Sequence, residues 1–84
     1  MRLSPIALEH LDHTLDAYAR MKVRETASEP DDAGWVHATL PVESIGIARW
    51  ELLGFGAEME VLEPLELRAA IAEQAGKMVA LYGR

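Results

Sequence analysis

Residues 52–71 (LLGFGAEMEVLEPLELRAAI) constrain the fold more than any other part of the chain, because several structural signals follow one another there. Gly54 predicts the end of a helix, since glycine takes the left-handed conformation that closes helices at little steric cost. Residues 57–62 alternate between acidic and apolar side chains, which is the period of a half-buried strand. Pro64 indicates the start of another helix, where its missing N–H would be unpaired anyway. The stretch therefore predicts a helix, a turn, a strand and a second helix.

The first third of the chain predicts a helix followed by a strand. Ser4 and Pro5 are typical of a helix cap and a first helical residue. Apolar residues then recur at helical spacing, at Leu8, Leu11, Leu15 and Tyr18. From Ala17 to Thr26 the period changes to two, which predicts a strand with one apolar face. Its apolar side contains Ala19, Met21 and Val23, and its basic side contains Arg20, Lys22 and Arg24.

A second strand is predicted after the loop of turn-forming and acidic residues at 27–34. Residues 35–42 alternate again, so we expect them to pair with residues 17–26 in an antiparallel hairpin. The side chains expected to point toward the core are Val36, Ala38, Leu40 and Val42. Those expected to point outward are Trp35, His37 and Thr39.

Two further helices are predicted, the first capped by Ser44 and the second running from Pro64 to about Tyr82, with Gly83 as its C-terminal cap. The buried face of the first is expected to contain Ile45, Ala48, Leu52 and Leu53. The inner face of the second is expected to contain Leu67, Ile71, Ala75, Met78 and Tyr82. Ile47 and Trp50 fall outside the predicted core face. They form either a contact surface for a partner or a surface covered by the C-terminal helix.

This order of elements predicts an α+β fold of the ferredoxin-like βαββαβ type, with an extra C-terminal helix and a first strand that is short or missing. We expect the helices to cover one face of the sheet and to leave the other face open. At 84 residues the chain is expected to form a single domain, spanning residues 1–84.

Composition narrows the classes of function. The chain has no cysteine, so disulfides and thiolate zinc sites are excluded. A formal net charge of −6 argues against the chain alone wrapping nucleic acid, which needs clustered cations. The sequence has no apolar run of the roughly twenty residues that a membrane span requires. It also lacks a signal peptide, which predicts a cytoplasmic location.

The segments LPVES, RWELLGFGAEMEVLEPLELRAAI and MVALY resemble the C-terminal extension of bacterial WYL-domain transcriptional regulators, called WCX. The resemblance extends from the first helix to Tyr82. Its most specific part comprises Gly54, Gly56, Val61, Leu62, Glu63, Pro64, Leu67 and Arg68. Members commonly have a second proline where this chain has Leu65, which is a minor departure.

The resemblance implies a regulatory domain without catalytic activity or cofactor. In such proteins a helix-turn-helix domain binds DNA, a WYL domain senses an effector, and the extension contributes to dimer contacts. We therefore expect the chain to be part of a larger regulator or the product of a shortened reading frame. Its expected partners are the WYL and helix-turn-helix domains of that parent and a second copy. We expect contact with DNA only through the parent's other domains, and we expect no contact with a membrane.

The predicted sheet suggests an alternative function, which is a binding module for a small molecule, an anion or single-stranded nucleic acid. On the open face, an aromatic ring and a basic stripe would form a platform for such a ligand. The residues of this platform are Arg20, Lys22, Arg24, Trp35 and His37. The competing interpretation is an ordinary solvated face, whose cations pair with acids such as Glu58 and Glu60, or a face that packs on another domain.

Other candidate sites favour structural explanations. His10 and His13 are spaced to reach one metal ion, but no third ligand shares their face, so no metal site is predicted. Glu63 and Glu66 lie at a predicted helix N-terminus, where negative charge is favoured by the helix dipole. His37 has no serine or cysteine nucleophile beside it in the predicted fold. The sequence therefore predicts no catalytic residues.

Overall fold

The computed structural model of the chain describes residues 1–83. Within that range it contains four α-helices and three short strands, which confirms the α+β class. The elements are β1 (Arg2–Leu3), α1 (Pro5–Thr14), α2 (Ala17–Thr26), β2 (Val36–His37), α3 (Ile45–Leu53), β3 (Met59–Glu60) and α4 (Leu65–Tyr82). A single 3₁₀ turn, Gly56–Glu58, connects α3 to β3.

The strands form an antiparallel sheet in the order β2-β1-β3, with β1 in the centre. Leu3 lies opposite Val36 on one side and Met59 on the other. Since successive side chains of a strand point to opposite faces, this row faces the core, and the row formed by Arg2, His37 and Glu60 faces the other way. Thus β1 is short, as predicted, but it holds the sheet together.

The predicted strand over residues 17–26 is wrong, because this segment is helix α2. Asp16 caps the helix, its carboxylate accepting a hydrogen bond from the Ala19 amide at 2.8 Å. Ala19 and Val23 are buried, but Met21 is exposed. A spacing of four residues between two apolar side chains fits both a strand and a helix. The segment is also rich in strong helix formers (Ala, Arg, Met and Lys), which favour the helix. The predicted hairpin is therefore absent, and the ferredoxin-like arrangement is not confirmed.

The first helix begins as predicted and ends earlier. Ser4 is its N-cap, accepting a hydrogen bond from the Ala7 amide at 3.0 Å, and Pro5 is its first residue. The chain becomes extended at Leu15 and Asp16, which separate α1 from α2. Tyr18, expected in the buried face of the first helix, therefore belongs to α2 and is exposed.

Residues 35–42 bury Val36, Ala38 and Leu40, as predicted, although only Val36 and His37 belong to the sheet. The end of α2 and the residues that follow it cover the outer edge of this segment. The Ser28 amide donates to the His37 carbonyl at 2.8 Å, and the Thr39 amide donates to the Thr26 hydroxyl at 2.8 Å. This edge is therefore paired, which protects it from further strand pairing.

The turn after α3 differs in detail from its prediction. Gly54 has a right-handed conformation (φ −63°), and the left-handed position is Gly56 (φ 58°). The predicted strand at residues 57–62 is confined to Met59 and Glu60, with Val61 buried beyond it. Pro64 is the cap of α4 rather than its first residue, and the preceding peptide bond is cis. The order of elements in this stretch is nevertheless the predicted one.

The core consists of aliphatic side chains from the four helices, β1, β2 and the neighbouring loops, with Phe55 as its one aromatic residue within residues 1–83 and Met59 of β3 packed against it. Ser44 caps α3, and Ala48 and Leu52 are buried, as predicted. The predicted inner face of α4 is correct at Leu67 and wrong near the end of the helix, as described below. Within residues 1–83, no helix has the length and apolar character required to cross a membrane.

Candidate interaction surfaces

The polar face of the sheet is organised around Arg2, the central residue of its row. The Arg2 guanidinium lies 4.8 Å from the centroid of the Trp35 ring, and its Nη1 donates to Glu60 Oε1 at 2.7 Å. His37 is opposite Arg2 on β2 and is exposed. The structure thus places Trp35 and His37 on one surface, as predicted. The cation between them is Arg2, which the sequence did not single out.

Glu60 neutralises two cations on this face. Its second carboxylate oxygen accepts a hydrogen bond from Arg68 Nη1 at 2.8 Å, and Arg68 also donates to the Val61 carbonyl at 3.0 Å. The hydrogen bonds from Arg68 and then Arg2 lower the pKa of Glu60 below its usual value. Glu60 thus pairs with Arg2 and Arg68, whereas the interpretation as an ordinary solvated face paired it with Arg20, Lys22 and Arg24.

The predicted basic stripe does not exist as a sheet surface, since its three residues lie on α2. Arg24 Nη2 contacts Asp12 Oδ1 at 2.9 Å, and Arg20 Nε lies 3.8 Å from the same atom. Lys22 is two residues from each, so it points to another side of the helix and pairs with Glu25 at 3.6 Å. Two of the three cations therefore tie α2 to α1.

The surface of α3 presents the apolar pair predicted to lie outside the core. Ile47 is 56% exposed and Trp50 is 62% exposed, so α4 does not cover them. The Arg49 guanidinium lies 5.2 Å from the centroid of the Trp50 ring. Within residues 1–83, Arg49 forms no ion pair, and its Nε is buried without a hydrogen-bond partner. Tryptophan and arginine are among the residue types enriched in the energetic centres of protein interfaces.

A groove of about 330 Å³ lies between the α1–α2 turn, residues 40–44 and α3. Its apolar floor is formed by buried residues, including Leu15, Ala19, Leu40, Ala48 and Leu52. Tyr18 and Ile47 stand exposed in its wall. Three carboxylates also line it, those of Asp16, Glu43 and Glu51. We call this feature the acidic groove. None of the three carboxylates forms an ion pair with a cation of the described chain.

The C-terminal end of α4 leaves the body of the domain. Leu67 is fully buried and Ile71 packs against the core, but every residue from Ala75 to Tyr82 is exposed. Met78 and Tyr82, predicted to face inward, are among them. The radius of gyration of the Cα atoms is 12.9 Å, against about 11.9 Å for a compact domain of this length. This projecting helix end displays the apolar residues Met78, Val79, Leu81 and Tyr82.

The remaining polar side chains that were candidates for a binding or metal site either form structural contacts or lie outside any cluster of such side chains. Glu58 accepts a hydrogen bond from the buried Ser4 hydroxyl at 2.8 Å, which ties the 3₁₀ turn to the start of α1. Among residues 1–83, no three histidine, aspartate or glutamate side chains are grouped as a metal site would require. His10 and His13 lie on α1 without such a group.

Sequence reasoning missed the acidic groove and the projecting helix end. The groove depends on the break between α1 and α2, which the period of the apolar residues did not show. The helix end carried a signal, because the MVALY segment has no polar residue to form an outer face. The expectation that the last two turns of α4 pack on the core was therefore wrong.

A family model described as "WCX domain" matches residues 2–79. This range includes all three strands, α1 to α3 and most of α4. No match was found among curated proteins or among solved structures.

Proposed function

Because the chain belongs to the WCX domain family, to which residues 2–79 match, we propose that it is the C-terminal regulatory and dimerisation domain of a bacterial WYL-type transcriptional regulator. In this proposal the domain is non-catalytic and acts in the cytoplasm through contacts with a second copy and with the parent's WYL and helix-turn-helix domains. Effector binding would change these contacts and thereby the affinity of the parent for DNA.

The observation that carries the proposal is the exposure of large apolar side chains in a small domain. Trp50 and Ile47 on α3 and the end of α4 are open to solvent, whereas large exposed apolar patches are uncommon on monomeric proteins. The carboxylates that would be candidates for acid–base chemistry, Glu58 and Glu60, are already engaged by Ser4 and by arginines. These features favour a contact domain over an enzyme.

Deletion of residues 1–84 from the parent regulator tests the proposal at the level of the whole protein. We expect the truncated parent to dimerise more weakly in sedimentation equilibrium. We also expect it to change the same transcripts in cells as removal of the entire parent gene. A truncated parent that dimerises and regulates like the intact protein would contradict the proposal.

The two tryptophans provide a matched pair of substitutions within the intact parent. Trp50→Ala removes the exposed ring on α3 and is expected to raise the dimer dissociation constant on the order of tenfold, as for a central interface residue. Trp35→Ala removes a ring from the polar face of the sheet and should leave dimerisation unchanged. Equal effects of the two substitutions would indicate a general loss of folding rather than a contact on α3.

The second candidate function is an anion, small-molecule or single-stranded nucleic-acid module on the polar sheet face. The arrangement that favours it is Arg2 on Trp35 with His37 alongside. Its test is titration of the chain with inorganic phosphate, nucleotides and short single-stranded oligonucleotides, followed by tryptophan fluorescence. An Arg2→Ala/Arg68→Ala double variant should abolish a specific signal, whereas Arg20→Ala/Arg24→Ala should preserve it. A signal unchanged in both variants would exclude this site.

A further inference from the structure

The end of α4 has a broad apolar face. Successive residues of an α-helix are rotated by about 100°, so Met78, Val79, Leu81 and Tyr82 span an arc of about 160°, with Lys77 and Ala80 on the other side of the helix. Val79 is 70% exposed and Tyr82 is 81% exposed. This face is broader than the stripe of about 100° that faces the core in an ordinary amphipathic helix, so a partner that covers all of it curves around the helix. The structure therefore calls for a concave binding partner for this helix end.

The acidic groove has the shape and charge of such a partner. Its floor is apolar, and Tyr18 and Ile47 extend its apolar surface outward. Within residues 1–83 its carboxylates form no ion pair, although that of Asp16 accepts the capping hydrogen bond of α2. The projecting helix end carries one cation, Lys77. This cation pairs only with Glu73, at 3.5 Å between two exposed side chains, an interaction that contributes little to stability. Lys77 is therefore free to approach a carboxylate of another molecule.

The groove and the helix end of one molecule do not meet. The first turns of α4 are anchored by buried Leu67 and by packing on α3. A helix of 18 residues is about 27 Å long. The residues beyond Ala75 extend from this anchor into solvent, since all of them to Tyr82 are exposed. Each molecule thus displays one helix end without a groove and one groove without an occupant.

We propose that the occupant is a second copy of this chain, with residues 77–82 of each copy docked in the acidic groove of the other. In a two-fold dimer the contact occurs twice, once in each direction, so that both grooves and both helix ends are occupied. Lys77 would lie at the carboxylate rim, and the apolar side chains that follow it would fill the floor. This inference rests on the subunit-contact part of the proposed function and adds the acidic groove and the helix end to the surface of Ile47 and Trp50 on α3.

Disulfide trapping tests the proposal directly, because the chain has no cysteine of its own. An isotopically labelled Ile47→Cys chain is mixed with an unlabelled Val79→Cys chain under mild oxidation. The products are identified by mass spectrometry without reduction. We expect the 47–79 product to predominate over both same-site products. The matched control replaces Ile47→Cys with Glu29→Cys, in an exposed loop away from the groove, and should give no preferred product.

Two outcomes of the trapping experiment overturn the proposal. Predominance of the 79–79 product would mean that the helix ends pair with each other. The absence of any preferred product would mean that the groove does not receive a second copy. Exposed positions are used throughout, so the substitutions are expected to leave the far-UV circular dichroism spectrum unchanged.

A second measurement uses two leucines at opposite ends of α4. Leu81→Ala removes an apolar side chain of the docked segment, and we expect the dimer dissociation constant to rise on the order of tenfold. Leu65→Ala removes an equally exposed leucine outside that segment, and sedimentation equilibrium should show no change. A chain that stays monomeric at all concentrations, or equal effects of both substitutions, would refute the proposal.

A failure of the docking inference can be distinguished from a failure of the proposed function. If the trapping fails but deletion of residues 1–84 still impairs the parent, the domain acts through other surfaces and only the docking inference is lost. If the 47–79 product forms but the deletion has no effect on the parent, the dimer contact exists and the regulatory role is wrong.

Discussion

At the scale of single residues, Glu60 links β1 to the first turn of α4. Its carboxylate accepts hydrogen bonds from Arg2 on β1 and from Arg68 on α4. These hydrogen bonds make the ionised form more favourable in the folded protein and lower the pKa of Glu60 from its usual value of 4.5. The resulting stabilisation is complete above pH 4.5 and is lost as the pH falls through the lowered pKa of the folded state.

We therefore expect the stability of the chain to decrease on acidification below pH 4.5, and Glu60→Gln to make this decrease shallower. The measurement is urea denaturation as a function of pH. Glu29→Gln, which removes an exposed loop carboxylate, is the control and should retain the slope of the unsubstituted chain. Identical acid limbs for the unsubstituted chain and the Glu60→Gln variant would contradict the role of this carboxylate.

Gly34 is the residue at which backbone conformation and packing leave no room for a side chain. Its φ is +85°, and a Cβ there would lie 2.9 Å from the Cγ of Pro5. The turn containing it positions Trp35, whose amide donates to Asp31 Oδ1 at 2.9 Å. Gly34→Ala should destabilise the fold by about 1–3 kcal/mol.

Gly46→Ala is the matched control for Gly34, since nothing lies within 4 Å of its Cβ position and its backbone is helical. That substitution should stabilise α3 by about 0.5–1 kcal/mol. Thermal unfolding of both variants measures the difference. Destabilisation of the same size in both would show that the contact with Pro5 has no effect.

At the scale of elements, α4 consists of an anchored half and a projecting half, and its two leucines near the start distinguish buried from exposed positions. Leu67 is fully buried and Leu65 is 74% exposed. We expect Leu67→Ala to destabilise the fold by about 2–5 kcal/mol through cavity formation. Leu65→Ala should change the free energy of unfolding by less than about 0.5 kcal/mol. Urea denaturation of the two variants measures this contrast, and similar losses would contradict the orientation of α4.

The case of α2 shows why the type of an element can be misassigned while its buried residues are not. Ala19 and Val23 face the core whether the segment is a strand or a helix, because a spacing of four fits both periods. The distinguishing residues were Met21, exposed on the helix, and Asp16, whose carboxylate caps it. The basic side chains consequently point to different sides of a helix instead of lining a sheet, and two of the three pair with α1.

At the scale of the whole molecule, the exposed apolar surfaces predict that stability depends on concentration. If folding and dimerisation are coupled, each tenfold increase in chain concentration stabilises the dimer by about 1.4 kcal/mol. For a domain of this size the midpoint of thermal unfolding should then rise by about 3–6 °C. Calorimetry over a range of concentrations measures this shift. A midpoint independent of concentration would indicate that the chain unfolds as a monomer.

The sequence alone determined the α+β class, the caps at Ser4 and Ser44, the buried positions of residues 36–40 and the family resemblance that the match to residues 2–79 confirmed. These features depend on local preferences and on the alternation of apolar side chains, both of which can be recognised in a short segment. It also indicated that Ile47 and Trp50 lie outside the core.

Only the tertiary structure decided the rest. Residues far apart in the chain form the sheet face, where Arg2 and Glu60 are 58 positions apart, and no local pattern specifies such a pairing. The same holds for the acidic groove, which residues 14–19 and residues 40–52 enclose together. The projecting end of α4 follows from the size of the body, because a helix of 18 residues extends beyond the core that covers its first turns.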